Sequence, residues 1–178
     1  MTIPIETEGK WLVQDLRAVE FKLSVLGAQC IQPRTYEHNL RFDTPDRLLS
    51  SQHKVLRLRE DSAARCTFKS PQRVENGIRR NQEIEFTVDD AEQARHFLEA
   101  LGYQVYFVYE KYRAVYAYGG CHIMLDELPY GDFVEIEGEH PQQVLELAGQ
   151  LGLNPAASSA LNYASLFSFY CENSDAAL

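Results

Sequence analysis

Ile5-Glu6-Thr7-Glu8-Gly9-Lys10-Trp11-Leu12 alternates charged with uncharged side chains, and the rest of the chain is read outward from that alternation. Successive residues of a strand point to opposite faces, so Glu6, Glu8 and Lys10 share one face. The habit recurs along the sequence. Arg57 and Arg59 alternate with Leu56 and Leu58, and Lys69 faces away from Phe68. Arg79, Glu83 and Glu85 line one face with Ile84 and Phe86 behind, and Lys111 sits with Arg113. Asp126 ends a seventh run, and Glu135 and Glu137 alternate with Val134 and Ile136. The second run, at about 34–43, is the one expected to offer no charge.

A half-solvated antiparallel sheet carries a loose polar mixture on its wet face. Here Arg-x-Arg, Lys-x-Arg and Glu-x-Glu pairs fall in separate strands, and the two-residue step sets like charges within roughly 7 Å. Such groups repel and need a neutralising partner. A sheet closed on itself, charged face inward and apolar face under helices, supplies opposite charges across a lumen that water, ions or a ligand complete.

The periodicity predicts strands at about 3–12, 34–43, 54–60, 64–70, 79–88, 103–117, 120–128 and 131–138. Helical spacing covers Val13 to Gly27 through Leu16, Val19, Leu23 and Leu26, and then Asp90 to Leu101, with Asp89 or Asp90 as cap and Gly102 as stop. Further helical segments fit 141–151 and 157–170. Turn chemistry marks Asp43-Thr44-Pro45-Asp46 and the connection Glu75-Asn76-Gly77. The expected fold is α+β, an eight-stranded antiparallel β-barrel with helices packed outside, as one domain over residues 1–170 and a short tail at 171–178.

With 17 Lys+Arg against 26 Asp+Glu, the net charge of −9 argues against nucleic acid and anionic membranes as partners. At 45% hydrophobic the chain has enough apolar surface for a core, which excludes a disordered protein. Four cysteines without a C-x-x-C pair fit a reduced, cytoplasmic protein, and no segment reads as a targeting signal or membrane span. Paired carboxylates with little histidine suit a hard divalent cation, Mg²⁺ or Mn²⁺. Clustered Arg and Lys suit phosphate. A condensed phosphate arriving with metal asks for both sets, and the absence of a Gly-rich phosphate loop rules out that route to it.

Glu6-Thr7-Glu8-Gly9-Lys10 resembles the E-x-E-x-K signature of the CYTH superfamily, the triphosphate tunnel metalloenzymes, which include class IV adenylate cyclases and thiamine triphosphatases. FDTPD (42–46), LRLRE (56–60), TFKSP (67–71), RRNQEIEF (79–86), EKYR (110–113) and LDELPYGDFVEIEG (125–138) follow in order, so the resemblance spans residues 3–138. It implies an eight-stranded tunnel that binds a triphosphate with divalent metal. Glu6, Glu8, Glu135 and Glu137, with Asp126, would hold metal. Lys10, Arg57, Arg59, Lys69, Arg79, Lys111 and Arg113 would clamp phosphates, Lys111 also acting in catalysis. Glu83 and Glu85 would bind a second metal or orient water. Arg41 stands where the family often has an aromatic residue before D-T-P, which adds a candidate phosphate contact.

Three readings follow: a metal-dependent triphosphate hydrolase, acting on inorganic triphosphate or an organic one such as thiamine triphosphate; a class IV adenylate cyclase; and a non-catalytic polyphosphate-binding barrel. The cyclase also needs an adenine pocket, which the sequence does not identify. The partner is a small-molecule triphosphate, and the chain is expected to be a monomer or homodimer. The five histidines are scattered, His122 being notable for sharing parity with Asp126. The tyrosines from Tyr103 to Tyr118 read as barrel wall, and Asn162-Tyr163 with the aromatics after it as a packing helix that caps one mouth. The proposed lumen residues, Lys10, Arg57, Arg59, Lys69, Arg79, Lys111 and Arg113 against Glu6, Glu8, Glu83, Glu85, Asp126, Glu135 and Glu137, cancel in charge. The chain's negative surplus therefore belongs to the outer surface.

Overall fold

The computed structural model describes residues 3–75, 77–159 and 161–174. Asn76, at the tip of one expected connection, and residues 175–178 of the expected tail lie outside them. The strands are β1 (Ile5–Val13), β2 (Gln29–Asp43), β3 (Val55–Glu60), β4 (Ala64–Glu75), β5 (Ile78–Val88), β6 (Gln104–Tyr118), β7 (Cys121–Leu128) and β8 (Gly131–Gly138). All neighbours pair antiparallel in the order β1-β5-β4-β3-β2-β6-β7-β8, and β8 returns to β1 to close the ring. In the closing pair Glu8 lies opposite Glu137 and Lys10 opposite Glu135.

Helices α1 (Leu16–Leu26), α2 (Leu48–Ser51), α3 (Ala91–Ala100), α4 (Pro141–Gln150) and α5 (Tyr163–Ser174) interrupt the strands. None is long and apolar enough to cross a membrane. α1 begins three residues later than its periodicity suggests because the Asp15 carboxylate accepts from the Arg17 and Ala18 amides, and it stops at Gly27, whose φ of 79° suits glycine. Asp90 caps α3 by accepting from the Gln93 amide.

The outer face of β1, β7 and β8 packs under α1 and α4. Trp11, Ile123, Leu125, Val134 and Ile136 meet Val19, Leu23, Val144, Leu147 and Ala148 there. Each fully buried aliphatic or aromatic side chain contributes about 1.5–3 kcal/mol. Gly9 is part of this packing, since a Cβ there would meet the Trp11 ring at 2.5 Å and Ile78 at 2.7 Å. A second cluster joins Leu40, Phe42, Leu58 and Cys66 to Leu98 of α3. The expected apolar face is only partly covered, because Ile84 and Phe86 on β5, and Tyr36, Val108 and Tyr112 on β2 and β6, stay exposed.

Three local features depart from the sequence reading. β2 starts at Gln29 rather than near 34, with register shifts around Pro33. α2 was not anticipated: Asp43 draws the chain into a turn by accepting from the Leu49 amide at 2.8 Å, the Ser50 amide at 2.9 Å and the Ser50 hydroxyl at 2.5 Å. The expected helix at 157–170 is instead a 3₁₀ turn at Pro155–Ala157 followed by α5, which starts at Tyr163 because the Asn162 side-chain oxygen Oδ1 accepts from the Ser165 amide.

Candidate active site

Alternation along each strand turns one set of side chains into a lumen of about 500 Å³. Every residue singled out from the sequence lines it except Asp126. Opposite charges meet across it. The Lys69 ammonium lies 2.5 Å from Glu6 and 3.6 Å from Glu83, and Arg79 binds Glu8. Lys10 lies 2.7 Å from Glu135, which Arg113 also binds. Arg57 and Arg59 approach Glu85 at 3.7 and 3.5 Å, and Glu85 also accepts from the Thr67 hydroxyl at 2.8 Å.

Asp126 has another place. Fully buried behind the lining, it accepts from Lys111 at 3.0 Å, from Arg113 at 2.6 and 2.5 Å, and from the Tyr163 hydroxyl at 2.5 Å. Its oxygens are taken by donors, so it anchors Lys111, Arg113 and Tyr163 and is not free for a metal.

β2 corrects an expectation, since it supplies both Glu37 and Arg41 to the lumen. Glu37, Asn39 and Arg41 alternate with His38, Leu40 and Phe42, and that parity was the available signal. Glu37 is buried among Lys111 at 3.5 Å, Arg59 at 3.8 Å and Arg113 at 4.0 Å. Burial opposes its ionisation, but these cations draw its carboxyl down to about 2. Tyr109, in the run expected to be mostly barrel wall and helix packing, also lines the lumen beside Arg57, Lys111 and Arg41, which pull its hydroxyl below the usual range against the effect of burial.

In the corner formed by β1 and β8, Glu6, Glu8 and Glu135 each have a basic partner, whereas among the described residues Glu137 has none inside 4.0 Å. Burial and then Glu8 push Glu6 up to about 7, against the pull of Lys69. Burial and then Glu6 raise Glu137. Glu8 itself is drawn to about 2, since Arg79 and Lys69 outweigh its burial. Oxygen-only donors under mutual repulsion fit a hard divalent cation. Glu6 and Glu8 are turned to their basic partners, and among the described residues no three His, Cys, Asp or Glu converge on one point. A metal ligated by Glu6 and Glu8 would therefore have to open the Glu6–Lys69 and Glu8–Arg79 pairs.

That arrangement gives a pH signature. Glu6 must lose its proton to ligate, so Mg²⁺ binding is expected to release a proton below about pH 7 and almost none at pH 8.5. Calorimetry in buffers of different ionisation enthalpy measures the release, and Glu6→Gln should remove it. Because the folded value lies above the ordinary 4.5, this group's contribution to stability is full below 4.5 and is lost as pH rises through about 7.

One mouth is closed. The start of α5 brings Tyr163 against Tyr109 and Phe133, ring centroids 5.8 and 5.6 Å away, with Leu128 and Leu166 around them. Lys10 lies 3.7 Å from the centre of the Tyr163 ring, a cation–π contact. The opposite mouth, where β1 begins and β6 ends, has an apolar rim of Pro4, Ile5, Ile31, Val115 and Met124, with His122 and Gln32 beside it.

Comparison with known proteins places this geometry in context. A family model described as the CYTH domain matches residues 4–158. An adenylate cyclase, CyaB of Aeromonas hydrophila, is 27% identical over 183 aligned residues, covering 95% of this chain and 90% of that protein. Among solved structures, a candidate adenylate cyclase from Vibrio parahaemolyticus superposes with a TM-score of 0.83 at 24% identity, covering 94% of this chain and 99% of that one. A Hippeastrum protein described as a candidate adenylyl cyclase with a dominant triphosphatase activity gives 0.66 at 21% identity, covering 94% and 96%. These structural likenesses bear on the fold.

Proposed function

Because the chain belongs to the CYTH domain family, we propose that it cleaves a phosphoanhydride bond of a triphosphate by metal-dependent hydrolysis, the substrate being inorganic triphosphate or an organic triphosphate. The observation that carries this reading is the convergence of Lys10, Arg57, Arg59, Lys69, Lys111 and Arg113 on one lumen that also holds Glu6 and Glu137, whose pKa values burial raises. A triphosphate satisfies the first set and a divalent cation the second.

Glu6, Glu8 and Glu137, with Glu135, are the residues that would hold Mg²⁺ or Mn²⁺. Such an ion supplies positive charge to phosphate oxygens in the transition state. Arg57, Arg59 and Arg113 offer bidentate donors to phosphate, and Lys10, Lys69 and Lys111 act as point charges. Lys111 is fully buried, where its charge acts most strongly on a leaving group. Glu85 is held by Thr67 and two arginines, while among the described residues Glu83 faces only Lys69. Glu83 is therefore the carboxylate left to orient attacking water. With one mouth closed, the triphosphate enters tail first and an organic group stays at the apolar rim.

That rim supports a second reading. An apolar wall at the open mouth suits a nucleobase, and a relative covering most of the chain is an adenylate cyclase. In cyclisation the ribose 3′-hydroxyl would attack the α-phosphate and pyrophosphate would leave. Incubation of ATP, thiamine triphosphate and tripolyphosphate with Mg²⁺ or Mn²⁺ separates the two. Orthophosphate from any of them is the expected result. Cyclic AMP with pyrophosphate would replace hydrolysis by cyclisation, and tight binding without turnover would leave a binding barrel.

A further inference from the structure

Among the described residues, Arg41 is the one lumen cation with no carboxylate inside 4.0 Å, whereas Lys10, Arg57, Lys69, Arg79, Lys111 and the rest each have one. It is 4% exposed, its Nε has no hydrogen-bond partner, and burial works against its charge. Its neighbours include the Tyr106 ring, with the centroid 5.8 Å away, and Tyr109. A desolvated guanidinium without a counter-charge is costly unless an anion completes it.

Arg41 and Asn162 border both the lumen and a second cavity of about 190 Å³ between the α2 loop and α5. Ser50, Lys54, Tyr106 and Ser165 also line this cavity, and among the described residues no Asp or Glu does. Among the described residues, Lys54 donates only to the neutral Gln52 amide oxygen, at 2.7 Å. The guanidinium of Arg47 lies 4.0 Å from the Tyr106 ring centre, so that ring already serves a cation and is a poor platform for a base. On a chain of net charge −9, a cavity with cations and no carboxylates is selective for an anion.

We propose that this cavity is a phosphate subsite, reached past Arg41, which takes a phosphoryl group beyond the three held in the lumen, as in a linear polyphosphate of four or more units. It rests on the lumen being the triphosphate site. Arg41 would bridge the two, its fork contacting the third phosphate from one side and the fourth from the other.

The test is calorimetric titration of the full chain with tripolyphosphate and with tetrapolyphosphate, in EDTA and again with Ca²⁺. Tetrapolyphosphate is expected to bind about tenfold more tightly, the worth of one charge-assisted contact. Lys54→Ala and Ser165→Asp should each bring the ratio close to one. Both changes suit folding, since Ser165 lies in the first turn of α5, where a carboxylate is favourable, and thermal melting checks it. Orthophosphate binding to the tripolyphosphate-saturated protein, lost in Lys54→Ala, would support the same subsite served by the free ion. Binding of tripolyphosphate with neither a tetrapolyphosphate preference nor orthophosphate uptake overturns the subsite alone. A preference that persists in both variants does the same. Failure of tripolyphosphate to bind in either condition overturns the lumen assignment itself, and the subsite with it.

Discussion

Turnover of a triphosphate by the double variant Glu6→Gln, Glu8→Gln is expected to fall by about 10³-fold, while affinity for the same triphosphate in EDTA rises. A divalent ion supplies several kcal/mol of charge stabilisation in phosphoryl transfer, and about 4 kcal/mol corresponds to that loss of rate. The amides keep the shape and still accept from Lys69 and Arg79, so the wall should hold its form. The charge does change. Glu37 and Arg41 add one charge of each sign to the lumen, but Asp126 lies behind the lining, so eight cations face seven carboxylates and the double variant makes the lumen more positive by two. Lys69 and Arg79 are then released to the anion. Single-turnover rates at saturating Mg²⁺, set beside calorimetry in EDTA, read the two effects separately. Wild-type rates in the variant would remove the β1 carboxylates from the reaction, and weaker anion binding would show that they support the clamp.

Asp126→Asn is expected to destabilise the protein by about 3–5 kcal/mol, the usual result of breaking a buried ion pair from one side. For a chain of this size that lowers the melting temperature by roughly 10 °C. The carboxylate holds Lys111 and Arg113 of the clamp and the hydroxyl of Tyr163, so one substitution loosens both the basic wall and the closed mouth. Tyr163→Phe removes a single hydrogen bond and should cost about 1 kcal/mol. Its effect should shrink in the Asp126→Asn background, because the two residues share that bond. Equal melting of Asp126→Asn and wild type would mean the carboxylate is no anchor.

Parity made most of the lumen legible before any coordinates. Glu6, Glu8 and Lys10 share a face because strands alternate, and their partners on β8 follow the same rule. The parity rule also covered Glu37 and Arg41, but these differ in sign and lie four residues apart, so they form no like-charged pair to catch the eye. What alternation cannot give is distance across the ring. Asp126 has lumen parity, yet whether it faces a metal or a pair of cations depends on Lys111 and Arg113 of the adjoining strand and on Tyr163 from a helix 37 residues away. Side-chain capping escaped as well. Asp43 reads as a turn residue, and only its contacts with Leu49 and Ser50 show that it folds α2. The apolar rim draws Pro4, Ile31, Val115 and Met124 from four separate places in the sequence, so no local pattern announces it.

On the triphosphatase reading, the seal made by Tyr163, Tyr109 and Phe133 would also govern the order in which products depart. A well with one opening empties in reverse of the way it fills. On the triphosphatase reading, the organic fragment, seated at the rim, goes first, and the inorganic phosphate or pyrophosphate lodged against Lys10 and Lys111 goes last. The inorganic product therefore meets the unliganded protein and competes directly with the next substrate, whereas the organic product does not.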